Sequence, residues 1–237
     1  MMSANSALSG SVPVPVSGDD AAARPRMRGR IHEVAFPVAA CAGLVLIGTA
    51  PTVSERVAAI VYTVTSMMLF GVSALYHRGR WRPGTRVVLK RLDHANIYLF
   101  IAGTYTPVAE MALHGAARLA VLIIVWSGAA AGVVFRLVWI GAPRWLYTPL
   151  YVLLGWVMVV VMPQLLHGAG VAAFVLILAV GLLYSLGGVG YGLRRPDPWP
   201  RVFGFHEVFH TLTVAAYVSQ YAAISVISYS GLRAAIG

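Results

Sequence analysis

The chain has 237 residues, of which 59% are hydrophobic and only 11% charged, and its mean hydropathy is +0.76. So little charge cannot cover a soluble surface, which excludes a water-exposed globular domain and points to a polytopic membrane protein. The net charge of +10 does not argue for nucleic acid, because the basic residues fall between apolar runs, where their usual effect is to orient membrane spans.

The first 30 residues, MMSANSALSGSVPVPVSGDDAAARPRMRGR, are rich in Ser, Ala, Gly and Pro and show no sustained periodicity. They also lack the apolar core of a cleaved signal peptide, and so predict a disordered, uncleaved cytoplasmic tail. Residues 31–237 then form one transmembrane domain. A span needs about 20 apolar residues, and candidates lie near 33–51, 56–77, 90–112, 117–139, 145–166, 170–191 and 205–230. The expected fold is therefore an all-α, seven-transmembrane helix bundle. Breaks such as PTVSER, HRGRWRPGTRVVLKR, GAPR and RRPDPWPR carry the Pro, Gly and Arg of interfacial turns, with Trp81, Trp139, Trp145 and Trp199 beside them as an aromatic belt. Small residues recur within spans, as in SGAAAG and SLGGVGYG, where they let helix backbones approach. The single cysteine, Cys41, has no partner for an intrachain disulfide, so any metal must be held by His, Asp or Glu.

Fifteen of the eighteen basic residues lie in the tail and in the second, fourth and sixth breaks, leaving Arg56, Arg118 and Arg233 for the other side. The positive-inside rule then predicts a cytoplasmic N-terminus and an extracytoplasmic C-terminus. On this topology His77 ends the second span, Asp93 and His94 open the third, and His206 and His210 open the seventh, all at the cytoplasmic face. Ionisable groups in a membrane face the bundle interior and have partners, so these residues form a candidate site.

Spacing sharpens the chemistry. His206 and His210, four apart, share one helix face and can reach a common ion at about 2.0–2.1 Å. SALYH repeats the spacing, with Ser73 one turn deeper than His77 on the same face. Three histidines from two helices and a carboxylate from a third would suit a catalytic Zn2+ that keeps one position for water. Asp93 would orient that water or take its proton, and Ser73 would donate a hydrogen bond to a substrate carbonyl. His94 adjoins Asp93 but points about 100° away around the helix and is left out. His32, His114 and His167 read as interfacial or hydrogen-bonded residues. HEVFH also fits the zinc-protease pattern H-E-x-x-H, with Glu207 as general base. No His, Asp or Glu follows His210, so no downstream third ligand is available, and Glu207 reads as a solvated interface residue.

Three blocks in order, SALYH, RLDHANIYLFIAGTYTP and FGFHEVFH, resemble the signatures of the hemolysin III family. This is the bacterial branch of the progestin and adipoQ receptor superfamily, which includes the adiponectin receptors. The resemblance covers residues 31–230. It implies seven helices, a cytoplasmic N-terminus and a multi-pass protein of the bacterial inner (cytoplasmic) membrane. It also implies a zinc near the cytoplasmic face, held by three histidines. Carried over by motif, the ligands are His77, His206 and His210, with Ser73 beside them and Asp93 reaching the zinc through water. His32 resembles a histidine that often opens the first helix, but the glycine that usually follows it is absent, and it is assigned nothing. The resemblance implies three functions. The favoured one is a zinc-dependent, ceramidase-like hydrolase of a membrane-lipid amide or ester, acting in lipid homeostasis. The others are a receptor or sensor with a structural zinc and a cytolytic protein. The last has the least support, since no exported amphipathic or barrel-forming segment is evident.

Overall fold

The computed structural model describes residues 25–139 and 141–236, with side chains as far as residue 230. Its helices are α1 (Arg30–Thr49), α2 (Val53–Arg78), α3 (Pro83–Ala112), α4 (Gly115–Val138), α5 (Arg144–Gly155), a 3-10 turn (Val157–Val161), α6 (Met162–Leu193) and α7 (Phe205–Ile236). Five helical stretches, counting Arg144–Leu193 as one, are long and apolar enough to cross a membrane. Large apolar side chains such as Leu44, Ile123, Leu153 and Leu186 stand more than half exposed on the outside of the bundle. In water such a surface would drive association; against acyl chains it is the expected one. The protein is an all-helical integral membrane protein.

α1 packs on α2 and α7, α2 on α3, α3 on α4, α4 on α5, and α6 on α5 and α7, closing a ring. α3 touches α2, α4, α5, α6 and α7 and so runs through the middle. This explains its composition. Although it has 30 residues it is not among the five apolar stretches, and it buries Asn96, Gly103, Thr104 and several alanines. A helix surrounded by protein needs small residues and satisfied polar groups more than it needs apolarity. Asn96 Nδ2 accordingly donates to Met68 O (3.0 Å), and Gln220 Nε2 of α7 donates to Thr104 O (3.0 Å). A Cβ on Gly132 would overlap the ring of Tyr98, so the second glycine of SGAAAG serves the close approach of α4 to α3.

The fifth predicted span, 145–166, is not one continuous helix. It breaks after Gly155 into the 3-10 turn, and α6 resumes with Pro163 in its first turn. Glycine, a run of β-branched valines and a proline that lacks an N–H all weaken the regular ladder there. A broken ladder at membrane depth leaves polar backbone groups that must find partners inside the protein. Tyr105 of α3 serves both sides of the break: its hydroxyl donates to Gly155 O (2.6 Å) and accepts from Met158 N (3.1 Å). A second interruption falls at Gly170, whose φ of 76° only glycine adopts freely. Beyond it the chain runs back along α5: Trp156 Nε1 donates to Ser185 Oγ (2.8 Å), and Gly188 lies against Val152 and Thr148.

The tail expected over residues 1–30 lies outside the described residues as far as residue 24. Its last residues are ordered. Arg26 N donates to Arg201 O (3.1 Å) and Met27 N to Val202 O (3.0 Å), tying the approach to α1 onto the loop before α7.

Candidate metal centre

Two helix ends and the flank of a third helix meet at one end of the bundle; Asp93 does not open α3 as expected but lies ten residues inside it, because the helix already starts at Pro83. α2 brings His77 in its last turn, α3 brings Asp93, and α7 opens with His206 and His210. The two histidines of α7 are one turn apart, and their ring centroids lie 4.4 Å from each other. His77 faces both, with centroids 4.6 Å from His206 and 5.4 Å from His210. One nitrogen from each of the three lies within 4.8 Å of the others, and Nε2 of His77 and Nε2 of His206 are 3.1 Å apart.

Such an arrangement fits a divalent cation. Tetrahedral zinc with nitrogens at about 2.0–2.1 Å holds two of them roughly 3.3 Å apart. The His77–His206 pair already has that spacing, and rotation about soft side-chain torsions brings in the third. His210 Nδ1 is buried with no hydrogen-bond partner among the described residues, so no protein atom holds that edge of the ring. The cluster could therefore hold a metal ion.

Asp93 Oδ2 is 3.7 Å from His77 Nε2, too far for a hydrogen bond but within reach through a bridging water. Ser73, buried one turn below His77, hydrogen-bonds to the Asp93 carboxylate. Ser73 thus touches Asp93 and also lines the adjoining cavity. His94 turns aside, its Nδ1 2.7 Å from Lys90 O. His114 and His167 are exposed at the other end of the bundle.

Glu207 is not a solvated interface residue. It is fully buried, and its Oε2 accepts from Gly204 N (2.9 Å), reaching back from the third helical position to the cap. That is half of a capping box, readable in G-x-x-E but overshadowed by the protease pattern. Asp197 Oδ1 accepts from Phe205 N (2.9 Å), so two carboxylates satisfy two of the free N–H groups at the start of α7. The other Glu207 oxygen is 3.4 Å from Arg28 Nε. A buried carboxylate already committed to a helix cap and an arginine has no place as general base.

The site opens on an elongated cavity. Ser73, Asp93, His206 and His210 line one end; Thr104, Tyr105, Met162 and Gln220 line the other, and Leu69, Ile97, Phe100, Ile177 and Val180 lie between. From His206 to Gln220 the cavity follows α7 for about 21 Å at 1.5 Å per residue. Two residues absent from the sequence-based site belong to this region: Arg28, through Glu207, and His32, whose ring stacks on His210. No local spacing rule points to either, because both contacts depend on α1 closing against α7.

Residues 21–221 match the family described as Haemolysin-III related. The chain is 30% identical over 161 residues to the Hemolysin-3 homolog of Bacillus subtilis (strain 168), covering 68% of this chain and 72% of that protein. It is 32% identical over 159 residues to Hemolysin-3 of Bacillus cereus, covering 67% and 69%. A more distant likeness, 31% over 185 residues, is to the Heptahelical transmembrane protein ADIPOR2 of Oryza sativa subsp. japonica, covering 71% of this chain and 80% of that protein. The chain belongs to the Haemolysin-III related family, within the adiponectin receptor-like superfamily.

Proposed function

We propose that this haemolysin III family member is a zinc-dependent hydrolase of a lipid amide or ester, embedded in the bacterial inner membrane. The observation that carries the proposal is the placing of three imidazoles and a serine-held carboxylate at the head of a long apolar cavity. Seven spans follow if α3 crosses among its protein neighbours and Arg144–Leu193 crosses twice by folding back at Gly170. The printed name of the rice relative, heptahelical, supports that count. The distribution of basic residues supports a cytoplasmic N-terminus and, with it, a site at the cytoplasmic face.

His77, His206 and His210 would hold the zinc, which when bound supplies Lewis acidity, polarising a substrate carbonyl and making water nucleophilic near neutral pH. The apolar cavity walls take the acyl chain and exclude bulk water, fixing the scissile group beside the histidines. Asp93, oriented by Ser73, accepts a proton as water adds to the acyl carbon. As the C–N or C–O bond breaks, the same carboxyl returns that proton to the leaving amine or alcohol. The products are a fatty acid and the amine or alcohol that carried it.

Fatty-acid release from a lipid amide by the purified protein in lipid nanodiscs tests this reading. Wild type should turn over; Asp93→Ala should keep its metal and melting temperature but lose release. Equal release from both would count against the hydrolase. The alternative is a sensor whose zinc fastens α2 to α7, favoured by the triad's bridging of two helices distant in sequence. In that case neither wild type nor any variant would turn over, although chelation would lower the melting temperature under both readings. The hemolysin names of the Bacillus relatives are the only support for a cytolytic role.

A further inference from the structure

α1 supplies none of the three histidines of the candidate centre, yet its first turn lies against the site on two sides. Gly29 caps the helix with φ of 79°, and a Cβ there would come within 2.7 Å of His77 Cβ. Only glycine suits both the conformation and the approach. Three residues on, His32 enters between α2 and α7. Its ring lies flat on His210, with centroids 3.7 Å apart and planes within 9° of parallel, and Phe70 stands against it at 5.1 Å in a T-shaped contact. His32 is 2% exposed and shares the cavity wall with Ser73, Asp93 and His206.

A histidine that ligates a metal is usually held in its ring plane by a hydrogen bond from its second nitrogen to a carboxylate or carbonyl. No such bond to a described residue orients His210, whose Nδ1 is buried without a partner. The final torsion of an imidazole is broad, so an unrestrained ring would sample planes that point its nitrogen away from His77 and His206. The contact that fixes the plane is the stack. His32 has no hydrogen-bond partner at either nitrogen among the described residues, so it acts on His210 through its face, and Phe70 in turn holds that face.

We propose that His32 is a positioning residue of the metal centre, holding the His210 ring in the plane from which its nitrogen joins those of His77 and His206 on one divalent cation. The inference rests on the metal-centre reading above and adds to it a residue from the first helix.

The test uses the full chain purified in detergent, loaded with Co2+ for its visible d–d absorption and with Zn2+ in competition with a chelator. His32→Ala should weaken both metals roughly 10–100-fold, the range for residues that orient metal ligands, and should shift the cobalt band. The rise in melting temperature on adding zinc should shrink in the same variant. His32→Phe offers a similar face without the nitrogens and should restore affinity to within about threefold of wild type, with the wild-type band. An alanine variant with wild-type affinity and spectrum would overturn the proposal. So would a phenylalanine variant as weak as alanine, since a nitrogen would then be contacting the ion. An equal loss of melting temperature in the metal-free and metal-loaded alanine variant would reduce His32 to packing. Failure of the wild type to bind either metal would sink the metal-centre reading itself; metal bound equally by all three proteins would sink only the role of His32.

Discussion

Two ion pairs, one at each end of the bundle, have the same separation and different surroundings. Arg28 and Glu207 lie 3.4 Å apart beside the histidine cluster with side chains 14% and 0% exposed; Arg118 and Glu110 lie 3.4 Å apart at the far end with side chains 44% and 22% exposed. The histidines divide in the same way. His77, His206, His210 and His32 converge at the first end, whereas His114 and His167 stand exposed at the other. Residue type is thus the same at both ends, and what separates a candidate site from an interface is enclosure and convergence. An enclosed polar group left unpaired costs several times what an exposed one does, so a cluster that keeps His32 and His210 Nδ1 buried without hydrogen-bond partners calls for a functional reason.

That contrast can be broken most directly by emptying the near end. The double variant His206→Ala, His210→Ala should lose the roughly one zinc per chain expected of wild type, measured by elemental analysis of purified protein, because one remaining imidazole cannot hold a closed site. Full retention would show that the three rings only pack. Next in size, Arg28→Ala leaves Glu207 buried without its cation and should lower unfolding stability by about 3 kcal/mol, at the low end for a broken buried pair because the helix N-terminus still favours a carboxylate. Denaturation in graded dodecyl sulfate would measure it. Asp93→Ala comes third. It should keep the zinc with affinity reduced by about tenfold, since the carboxylate stands 3.7 Å from His77 Nε2 and outside the triad. A loss as complete as in the double variant would make Asp93 a direct ligand.

The parts of this site that could be read from the sequence are those set by local geometry. A four-residue interval on a helix places His206 with His210 and Ser73 with His77 whatever the tertiary fold, and apolar run lengths locate α1, α2 and α4 to within about three residues, whereas α3 starts at Pro83 and not at the expected residue 90. Contacts made by closure of the ring could not be read that way. Nothing in HEVAFP says that His32 will lie on His210, and nothing in RMRGR says that Arg28 will cover Glu207. That missing cover is why Glu207, at an apparent interface, looked solvated. The break between α5 and α6 was hidden for a similar reason. GWVMVVVMP is apolar enough to continue a span, and Tyr105, about 50 positions earlier, steadies the interruption by bonding to both of its edges. The low apolarity of α3 becomes intelligible once its neighbours are seen to be five helices.

The smallest effect belongs to the far end. Arg118→Ala removes a cation from a pair whose members both reach solvent, where water and salt screen the attraction and two long side chains lose entropy to make it. Its loss should change stability by less than about 1 kcal/mol and leave zinc content and cobalt absorption at wild-type values. Distance alone predicts equal costs for the pairs at the two ends, since both are 3.4 Å; enclosure predicts a difference of roughly threefold or more. If Arg118→Ala proved as damaging as Arg28→Ala in the same dodecyl sulfate titration, enclosure would not be what distinguishes the ends, and the burial of Glu207 would no longer mark its surroundings as the functional end of the bundle.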